Sequence, residues 1–291
     1  MLVDRHPLPG PTSRRLAHRE IVDWHDHAEH QLVCPRAGAL HVRTDRGAWV
    51  VPLGRAVWLP AGVPHSHRAH GRTQMLTLSF PSPARRRAGA GSALPGTVLD
   101  DIVLDDLVLD GTQPTVVAVG PLLREVIVEL AAGTGGTEGN DGGARPDGGG
   151  GPNRALGPAD QADLYRIALR RLVPAPALRH HLPAPADPRL RDIAAILAED
   201  PADPRTLAEL GRAAGASERT LSRLFRRDTG MTFPQWRAQL RLQHAMLALA
   251  AGSSVTAAAV DSGYGNISAF IAAFREAFGV TPAAYRAEAA T

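Results

Sequence analysis

Residues 217–286 contain the same structural pattern twice, and this duplication limits what the chain can fold into. The two copies are offset by 49 residues, the distance from Leu221 to Phe270. The coinciding pairs are Leu221 and Phe270, Phe225 and Phe274, Arg226 and Arg275, Gly230 and Gly279, Thr232 and Thr281, Trp236 and Tyr285, and Arg237 and Arg286. Each copy predicts a short helix, a Gly-containing turn, a second helix, a Gly stop and a capped third helix. Two helix-turn-helix units on one chain, about one DNA turn apart, would contact adjacent major-groove segments.

The helix predicted after Ser217 separates apolar and basic side chains. Its apolar residues recur at i, i+3 and i+4, so we expect them to face the core. These residues are Leu221, Leu224 and Phe225. The opposite face carries the predicted base contacts Arg219, Ser222 and Arg223. We predict phosphate contacts from Arg226, Arg227, Arg237 and Arg241, because six arginines stand against one acid, Asp228, between residues 219 and 241.

The second copy offers fewer side chains for base recognition. Its corresponding face carries Ser268, Ile271, Ala272 and Arg275. Ala272 stands where the first copy has Arg223, and bidentate base recognition needs Arg, Asn or Gln. We predict that Asn266 and Ser268 bind phosphate or contact a base edge weakly, and that Arg275 contacts phosphate. The first unit is therefore expected to carry most of the sequence discrimination, and the second mainly to position the domain.

The stretches RTLSRLFRRDTGMTFPQWRAQLRLQHA and GYGNISAFIAAFREAFGVTPAAYR resemble the DNA-binding domain of the AraC/XylS family of bacterial transcription regulators. The resemblance covers about residues 188–286. It implies a double-stranded promoter or operator as partner, and RNA polymerase as a further partner if the protein activates transcription. The sequence departs from the family at Ala272 and at Gly211, where Ala is usual. We expect Gly211 to weaken its helix slightly.

Residues 20–119 are rich in short apolar segments that are separated by Gly and Pro turns. The segments are Gln31–Cys34, Leu40–Thr44, Trp49–Val51, Ala56–Leu59 and Met75–Phe80, with Thr115–Val119 as the last strand. This spacing predicts an antiparallel sandwich or barrel. The fold class is therefore α+β multidomain, with an N-terminal β-sandwich or β-barrel, a helical linker and a C-terminal all-α double helix-turn-helix domain. The predicted boundaries are 1–119, 120–186 and 187–291.

The helical linker is expected to contain two helices, which begin at Pro121 and near Ala159. Between them, residues 133–152 are half glycine and are predicted to be a disordered loop. The second helix has an apolar stripe of Leu164, Ile167, Ala168 and Leu172. This stripe would either join two subunits in a homodimer or pack on its own barrel. Pro183, Pro185 and Pro188 predict a stiff linker before the DNA-binding domain.

Three histidines in the N-terminal half have the spacing of a binding site. His25-Asp-His27 with Gln31 and Gly38, followed by Gly54, Pro60-Ala-Gly62 and His65, resembles the two motifs of the cupin barrel. Many AraC-type regulators carry such a barrel as a sensor domain. His25 and His27 alternate on a strand and point to the same side, and His65 can meet them from a neighbouring strand.

These three imidazoles and the Gln31 amide are predicted to form an effector pocket or to hold a divalent metal with an open position. The alternative is a polar ligand pocket without metal, because Gln31 stands where metal-binding cupins usually have Glu. No cofactor is required. His30, His67 and His70 are predicted to be exposed at loops or strand ends.

Charge and cysteine content limit the function classes. The net charge is only +3, so any nucleic-acid surface must be local. A single Cys34 excludes an internal disulfide and a multi-cysteine zinc site, and fits a reducing compartment. The sequence shows neither a signal peptide nor a membrane span, which favours a cytoplasmic protein with no membrane partner.

The sequence thus predicts a sequence-specific transcription regulator that performs no catalysis and is controlled by a small-molecule or metal effector. One alternative is a cupin-type metalloenzyme that carries a DNA-binding tail. Another is a partner-binding protein whose helix-turn-helix units are scaffold. The missing carboxylate at position 31 argues against the first, and the arginine-rich helix face argues against the second.

Overall fold

The computed structural model describes residues 4–5, 11–82, 109, 113–132, 156–175 and 180–289, so the predicted loop at 133–152 lies outside it. The strands are β1 (Asp4–Arg5), β2 (Thr12–Leu16), β3 (Ile21–Asp26), β4 (His30–Thr44), β5 (Gly47–Val51), β6 (Arg55–Leu59), β7 (His65–Phe80), β8 (Thr115–Ala118), β9 (Val173–Pro174) and β10 (His181–Pro183). The helices are α1 (Pro121–Ala132), α2 (Pro158–Arg171), α3 (Pro188–Glu199), α4 (Leu207–Ala213), α5 (Glu218–Thr229), α6 (Phe233–Ala250), α7 (Val255–Asp261), α8 (Ile267–Phe278) and α9 (Pro282–Ala289). Within these ranges no helix is both long enough and apolar enough to span a membrane.

The two longest strands, β4 and β7, organise the sheet. They pair antiparallel from His30 opposite Phe80 to Thr44 opposite His65, with register shifts between Pro35 and Ala39. On one side of this bend β4 pairs with β6 and β7 pairs with β2, while on the other side their partners are β5 and β3. Such irregularities bend strands, so the sheet folds over itself. The predicted antiparallel β-domain is confirmed, and the short parallel pairing of β1 with β3 is an exception to its antiparallel pattern.

Both faces of the central part of this sheet are covered, so strands β4, β5 and β6 are buried at nearly every position. The inner face holds residues from both halves of the sheet in one apolar cluster, which includes Leu16, Val33, Leu40, Val42, Val51, Val57 and Leu59. The outer face packs Trp58, Leu78 and Phe80 against α1 and α2. Residues Leu164, Ala168 and Leu172 of α2 pack in this same cluster, whereas Ile167 remains 38% exposed. Most of the predicted stripe therefore packs on its own domain.

Helices α3 to α9 form the predicted pair of helix-turn-helix units. The Thr206 capping box of α4 is confirmed, since Thr206 and Glu209 each accept the other's backbone N–H. A Cβ at Gly211 would lie 2.6 Å from the Ala216 carbonyl oxygen and 2.8 Å from Leu221 Cδ1. Glycine at this position thus allows α4 to approach α5 closely, a role beyond the slight helix weakening expected from propensity.

Residues 180–187 differ from the stiff proline linker that the sequence predicted. Strand β10 pairs antiparallel with β5, so this segment is an edge strand of the sheet. Leu182 inserts into the apolar core of the first helix-turn-helix unit. Trp236 Nε1 donates a hydrogen bond to the Pro183 carbonyl at 2.9 Å, and Gln239 Nε2 donates to the His181 carbonyl. The prolines did not indicate these bonds. A proline lacks a backbone N–H to donate, but its carbonyl can still accept a hydrogen bond.

The sheet also packs directly on helix α6. Ala39 and Val50 of the sheet share one apolar cluster with α6 and with Phe270 of α8. Gly71 of β7 has φ +77°, and a Cβ there would lie 2.5 Å from the Ala250 carbonyl oxygen. The His180 ring lies 5.5 Å from the Phe278 ring, between β5 and the second unit. The sheet and the DNA-binding helices therefore share a core.

Acid should destabilise this shared core through His180. Its pKa is lowered to about 4, first by burial and second by the charge of Arg55. The unfolded chain, with a histidine pKa of about 6.5, binds more protons between these values, so stability is complete above pH 6.5 and is lost as pH falls. His180→Gln should flatten the slope of unfolding free energy between pH 6.5 and 4 by up to about 1.4 kcal/mol per pH unit. Urea unfolding at several pH values across this range measures the slope, and unfolding at pH 7.5 measures any packing lost in the variant. Equal slopes in wild type and His180→Gln would contradict this role of His180.

Candidate functional site

The two recognition helices, α5 and α8, are built and held in the same way. Ser217 caps α5 by accepting the Thr220 N–H, and Asn266 caps α8 by accepting the Ala269 N–H. Both helices have 12 residues and end at a left-handed glycine, Gly230 or Gly279. Such caps satisfy the unpaired backbone groups at helix ends, so each helix has a fixed position in its unit.

The face of α5 predicted to meet DNA is exposed. The opposite face is buried and comprises Leu221, Leu224 and Phe225, as predicted. Arg219, Ser222, Arg223 and Arg226 are all exposed. Among the described residues, none of the three guanidinium groups on this face forms an ion pair. The face is therefore a concentrated positive surface that is open to a polyanion.

Three arginines predicted to contact phosphate already bind within the protein. Arg227 Nε pairs with Asp228 Oδ1 at 2.7 Å, and Asp228 also accepts the backbone N–H of Asp187. Arg237 Nη1 donates to the Arg205 carbonyl at 2.6 Å, and Arg241 Nε donates to the Pro201 carbonyl at 2.9 Å.

The contacts of Arg237 and Arg241 fix the connection between α3 and α4. Burial lowers the pKa of Arg237, which fits a guanidinium held within the fold. Their predicted phosphate contacts stay predictions, and the geometry gives both residues a role in packing.

Helix α8 presents a different surface. Ile267 and Ile271 are 41% and 37% exposed, and Ser268, Ala272 and Arg275 are exposed beside them. The side-chain oxygen of Asn266 is engaged as the helix cap at 3.0 Å from the Ala269 nitrogen. The asymmetry between the units that the sequence predicts is therefore present on their surfaces, with arginine on α5 and mainly apolar side chains on α8.

Helix α6 joins the two units. Its 18 residues give a length of about 27 Å at 1.5 Å per residue. Its side chains enter both cores, with Trp236 in the first and Leu242 and Met246 in the second. This single rigid element sets the spacing between α5 and α8, which is the quantity that a DNA duplex would read.

The predicted histidines meet in the sheet domain. Strands β3 and β7 place His25 opposite His65, and His27 follows directly after β3. The ring centroids of His25 and His65 are 4.4 Å apart, and those of His27 and His65 are 5.1 Å apart. All three residues are buried, and one ring nitrogen from each lies within 4.8 Å of the others. We call this group the three-histidine site.

Backbone contacts fix the ring orientation at two of these residues. The Nδ1 of His25 lies 2.5 Å from the Asp23 carbonyl oxygen, and the Nδ1 of His65 lies 2.8 Å from the Val63 carbonyl oxygen. A carbonyl can only accept, so each Nδ1 carries the proton and each Nε2 keeps its lone pair. This is the arrangement that orients histidine ligands in metal centres, so the donor set fits a divalent cation.

The expectation that His30 and His67 are exposed is wrong. Both are buried, and the His67 ring lies 5.0 Å from that of His65. The error came from taking β7 to begin at Met75, whereas the strand runs from His65, which places His65 and His67 on the same inner face. His70 is half-buried rather than exposed.

Electrostatics favour neutral imidazoles at His65 and His67. The pKa of His65 is lowered to about 3, chiefly by burial and further by the neighbouring His25 and His27. Burial also holds the pKa of His67 well below its usual value. A neutral imidazole is the form that binds metal or accepts a hydrogen bond from a ligand.

Gln31 lies on the inner face of β4, opposite Leu59 of β6 and Ser79 of β7. Its side chain is 4% exposed, and its Oε1 has no hydrogen-bond partner among the described residues. An unpaired buried amide oxygen is costly unless a bound molecule satisfies it. The residue predicted as the fourth member of the site is therefore buried inside the sheet domain.

Two domain families match the chain in the order of its two halves. The family described as "AraC-like ligand binding domain" matches residues 13–142, and the family described as "Helix-turn-helix domain" matches residues 210–288. The first range contains the three-histidine site, and the second contains both recognition helices. The residues singled out by geometry thus fall within the matched ranges.

Named relatives are transcriptional regulators. The chain is similar to the HTH-type transcriptional regulator NimR of Escherichia coli, with 28% identity over 92% of this chain and 83% of that protein. It is 36% identical to the HTH-type transcriptional regulator RipA of Corynebacterium glutamicum over 42% of this chain and 35% of that protein. A crystal structure of a DNA-binding transcriptional dual regulator from Escherichia coli K-12 covers 37% of this chain and 96% of its own, with 26% identity and a TM-score of 0.34.

Proposed function

Because the chain belongs to the AraC family of DNA-binding transcription regulators with an N-terminal ligand-binding domain, we propose that it binds specific operators under control of an effector. The observation that carries this proposal is the free arginine face of α5, set in a duplicated helix-turn-helix. In this proposal residues 1–119 form a cupin-like sensor barrel, residues 120–186 a helical dimerisation region, and residues 187–291 the DNA-binding domain.

The proposed division of labour on DNA follows from side-chain chemistry. Arg219 and Arg223 are exposed on α5, where a guanidinium can donate two hydrogen bonds to guanine O6 and N7. Arg226 lies one turn from Ser222, further along the helix, and is assigned to phosphate. Phosphate contacts supply affinity that depends on salt, whereas base contacts supply sequence preference.

Arg223→Ala should weaken binding to a specific operator by about 5- to 150-fold, because one bidentate base contact contributes about 1–3 kcal/mol of discrimination. Binding to a scrambled duplex should change much less. The matched control is Arg226→Ala, which should weaken binding to both duplexes similarly. It should also reduce the slope of log affinity against log salt concentration by about one unit. Fluorescence anisotropy titrations with both duplexes at two salt concentrations provide the measurement. If Arg223→Ala lowered the affinity for both duplexes equally, α5 would not be the helix that recognises bases.

The effector is proposed to bind inside the sheet domain, at the three-histidine site with Gln31. A divalent cation bound there would supply a positive centre with an open position for a ligand oxygen or nitrogen. Backbone contacts orient the rings of His25 and His65, and all three histidines are buried. A small molecule that binds the same imidazoles and amide without metal is the second candidate, since Gln31 provides no charge.

A Zn²⁺ titration of the purified protein distinguishes these two candidates. If the site holds metal, wild type should bind one ion per chain, and His27→Ala should lower the affinity by at least about 100-fold, since even partners of ligands cost 10- to 100-fold. The control His70→Gln changes a histidine outside the three-histidine site and should bind as wild type. Absence of stoichiometric binding by wild type, or equal binding by His27→Ala, would leave the metal-free pocket as the effector site.

The proposed partners follow from the same features. They are operator DNA, a small-molecule effector and, if the protein activates transcription, RNA polymerase. A homodimer is proposed through α1 and α2, which expose Leu122 and Ile167 by 50% and 38%. A cytoplasmic location and the absence of catalysis complete the proposal. The named relatives are regulators, which disfavours the metalloenzyme alternative.

A further inference from the structure

The second recognition helix exposes apolar side chains on the face that would meet DNA. Ile267 and Ile271 are 41% and 37% exposed and lie one turn apart on α8. Ser268 and Ala272 are exposed beside them. The helix has a separate buried face, which comprises Phe270, Phe274 and Ala277. The two isoleucines therefore lie outside the buried face of the helix and leave more than a third of their surface open to a partner.

The repeat shows which partner this face is placed to meet. The 49-residue offset puts Ile271 at the position of Ser222 and Ala272 at the position of Arg223, on the face that α5 presents to solvent. Arg275 lies one turn beyond Ile271, Glu276 lies one turn beyond Ala272, and both are exposed. The apolar face thus occupies the position of the proposed DNA surface of the first unit.

Major-groove chemistry offers one apolar group, the C5 methyl of thymine. Isoleucine and alanine have no donor or acceptor for base edges, but they can remove that methyl from water. We propose that α8 selects thymine by burying its methyl group against Ile271, and that the small Ala272 lets the helix approach the base edge closely. This inference rests on the proposed DNA-binding function and assigns sequence discrimination to the second unit as well.

The test uses the full chain and a duplex selected from a random library by the wild-type protein. Each thymine in the half bound by the second unit is replaced singly by deoxyuridine, which removes only the methyl. At one or two positions the replacement should weaken wild-type binding about fourfold, the factor corresponding to about 0.8 kcal/mol for one buried methyl-sized group. In Ile271→Ala the same replacement should have little effect. Ile196→Ala is the matched control, because Ile196 of α3 is also 37% exposed.

Each result decides the proposal. A deoxyuridine effect that is absent from every position, or that persists unchanged in Ile271→Ala, overturns thymine selection while leaving DNA binding by α5 intact. A change in oligomeric state caused by Ile271→Ala but not by Ile196→Ala would assign the patch to a second copy of the chain instead. Failure of the library to yield any preferred sequence would overturn the proposed function itself, and with it this inference.

Discussion

The contact between strand β7 and helix α6 is the interaction on which the rest of the structure depends. At Gly71 the two backbones approach so closely that a single Cβ would collide with the Ala250 carbonyl. Around it, Ala39 and Val50 of the sheet join α6 and α8 in one apolar cluster, so the two halves of the chain share a core. Helix α6 in turn carries residues of both helix-turn-helix cores, and its length sets their spacing. The sheet therefore packs directly on the helix that contributes to both units.

The same strand carries His65 of the three-histidine site and its neighbour His67. His65 and His67 lie at the start of β7, six and four residues before Gly71, a distance of about 13–20 Å along an extended chain. A ligand bound by these imidazoles would contact a strand that also packs on α6. Such a ligand changes DNA affinity only by as much as it binds one packing arrangement better than another. The edge strand β10 provides a second connection, since it pairs with β5 and accepts hydrogen bonds from Trp236 and Gln239 of α6.

Local rules predicted much of this structure. Helix caps at Thr206 and Ser217 follow from residue type, and the buried stripe of α5 and the shared side of His25 and His27 follow from periodicity and alternation. The meeting of His65 with these two histidines was expected from the resemblance to the cupin motifs. The errors concern long-range packing. His67 was misplaced because the extent of β7 depends on its pairing with β3, and the proline segment was read as a spacer because its partners lie more than 40 residues away in β5 and α6. The roles of Gly211 and Arg241 could not be predicted for the same reason, because they depend on contacts with residues that only the tertiary fold brings close.

Hydrogen exchange of α6 in Gly71→Ala and Gly62→Ala tests the packing of the sheet on this helix most directly. Both glycines have a similar positive φ, +77° and +75°, but a Cβ at Gly62 meets no atom within 4 Å. Backbone strain of about 1–2 kcal/mol is therefore common to both variants, and the collision with α6 occurs in only one. Peptides that span residues 242–258 should exchange faster in Gly71→Ala than in Gly62→Ala and wild type. Equal exchange of these peptides in the two variants would contradict a structural coupling between the sheet and the helix that joins the DNA-reading units.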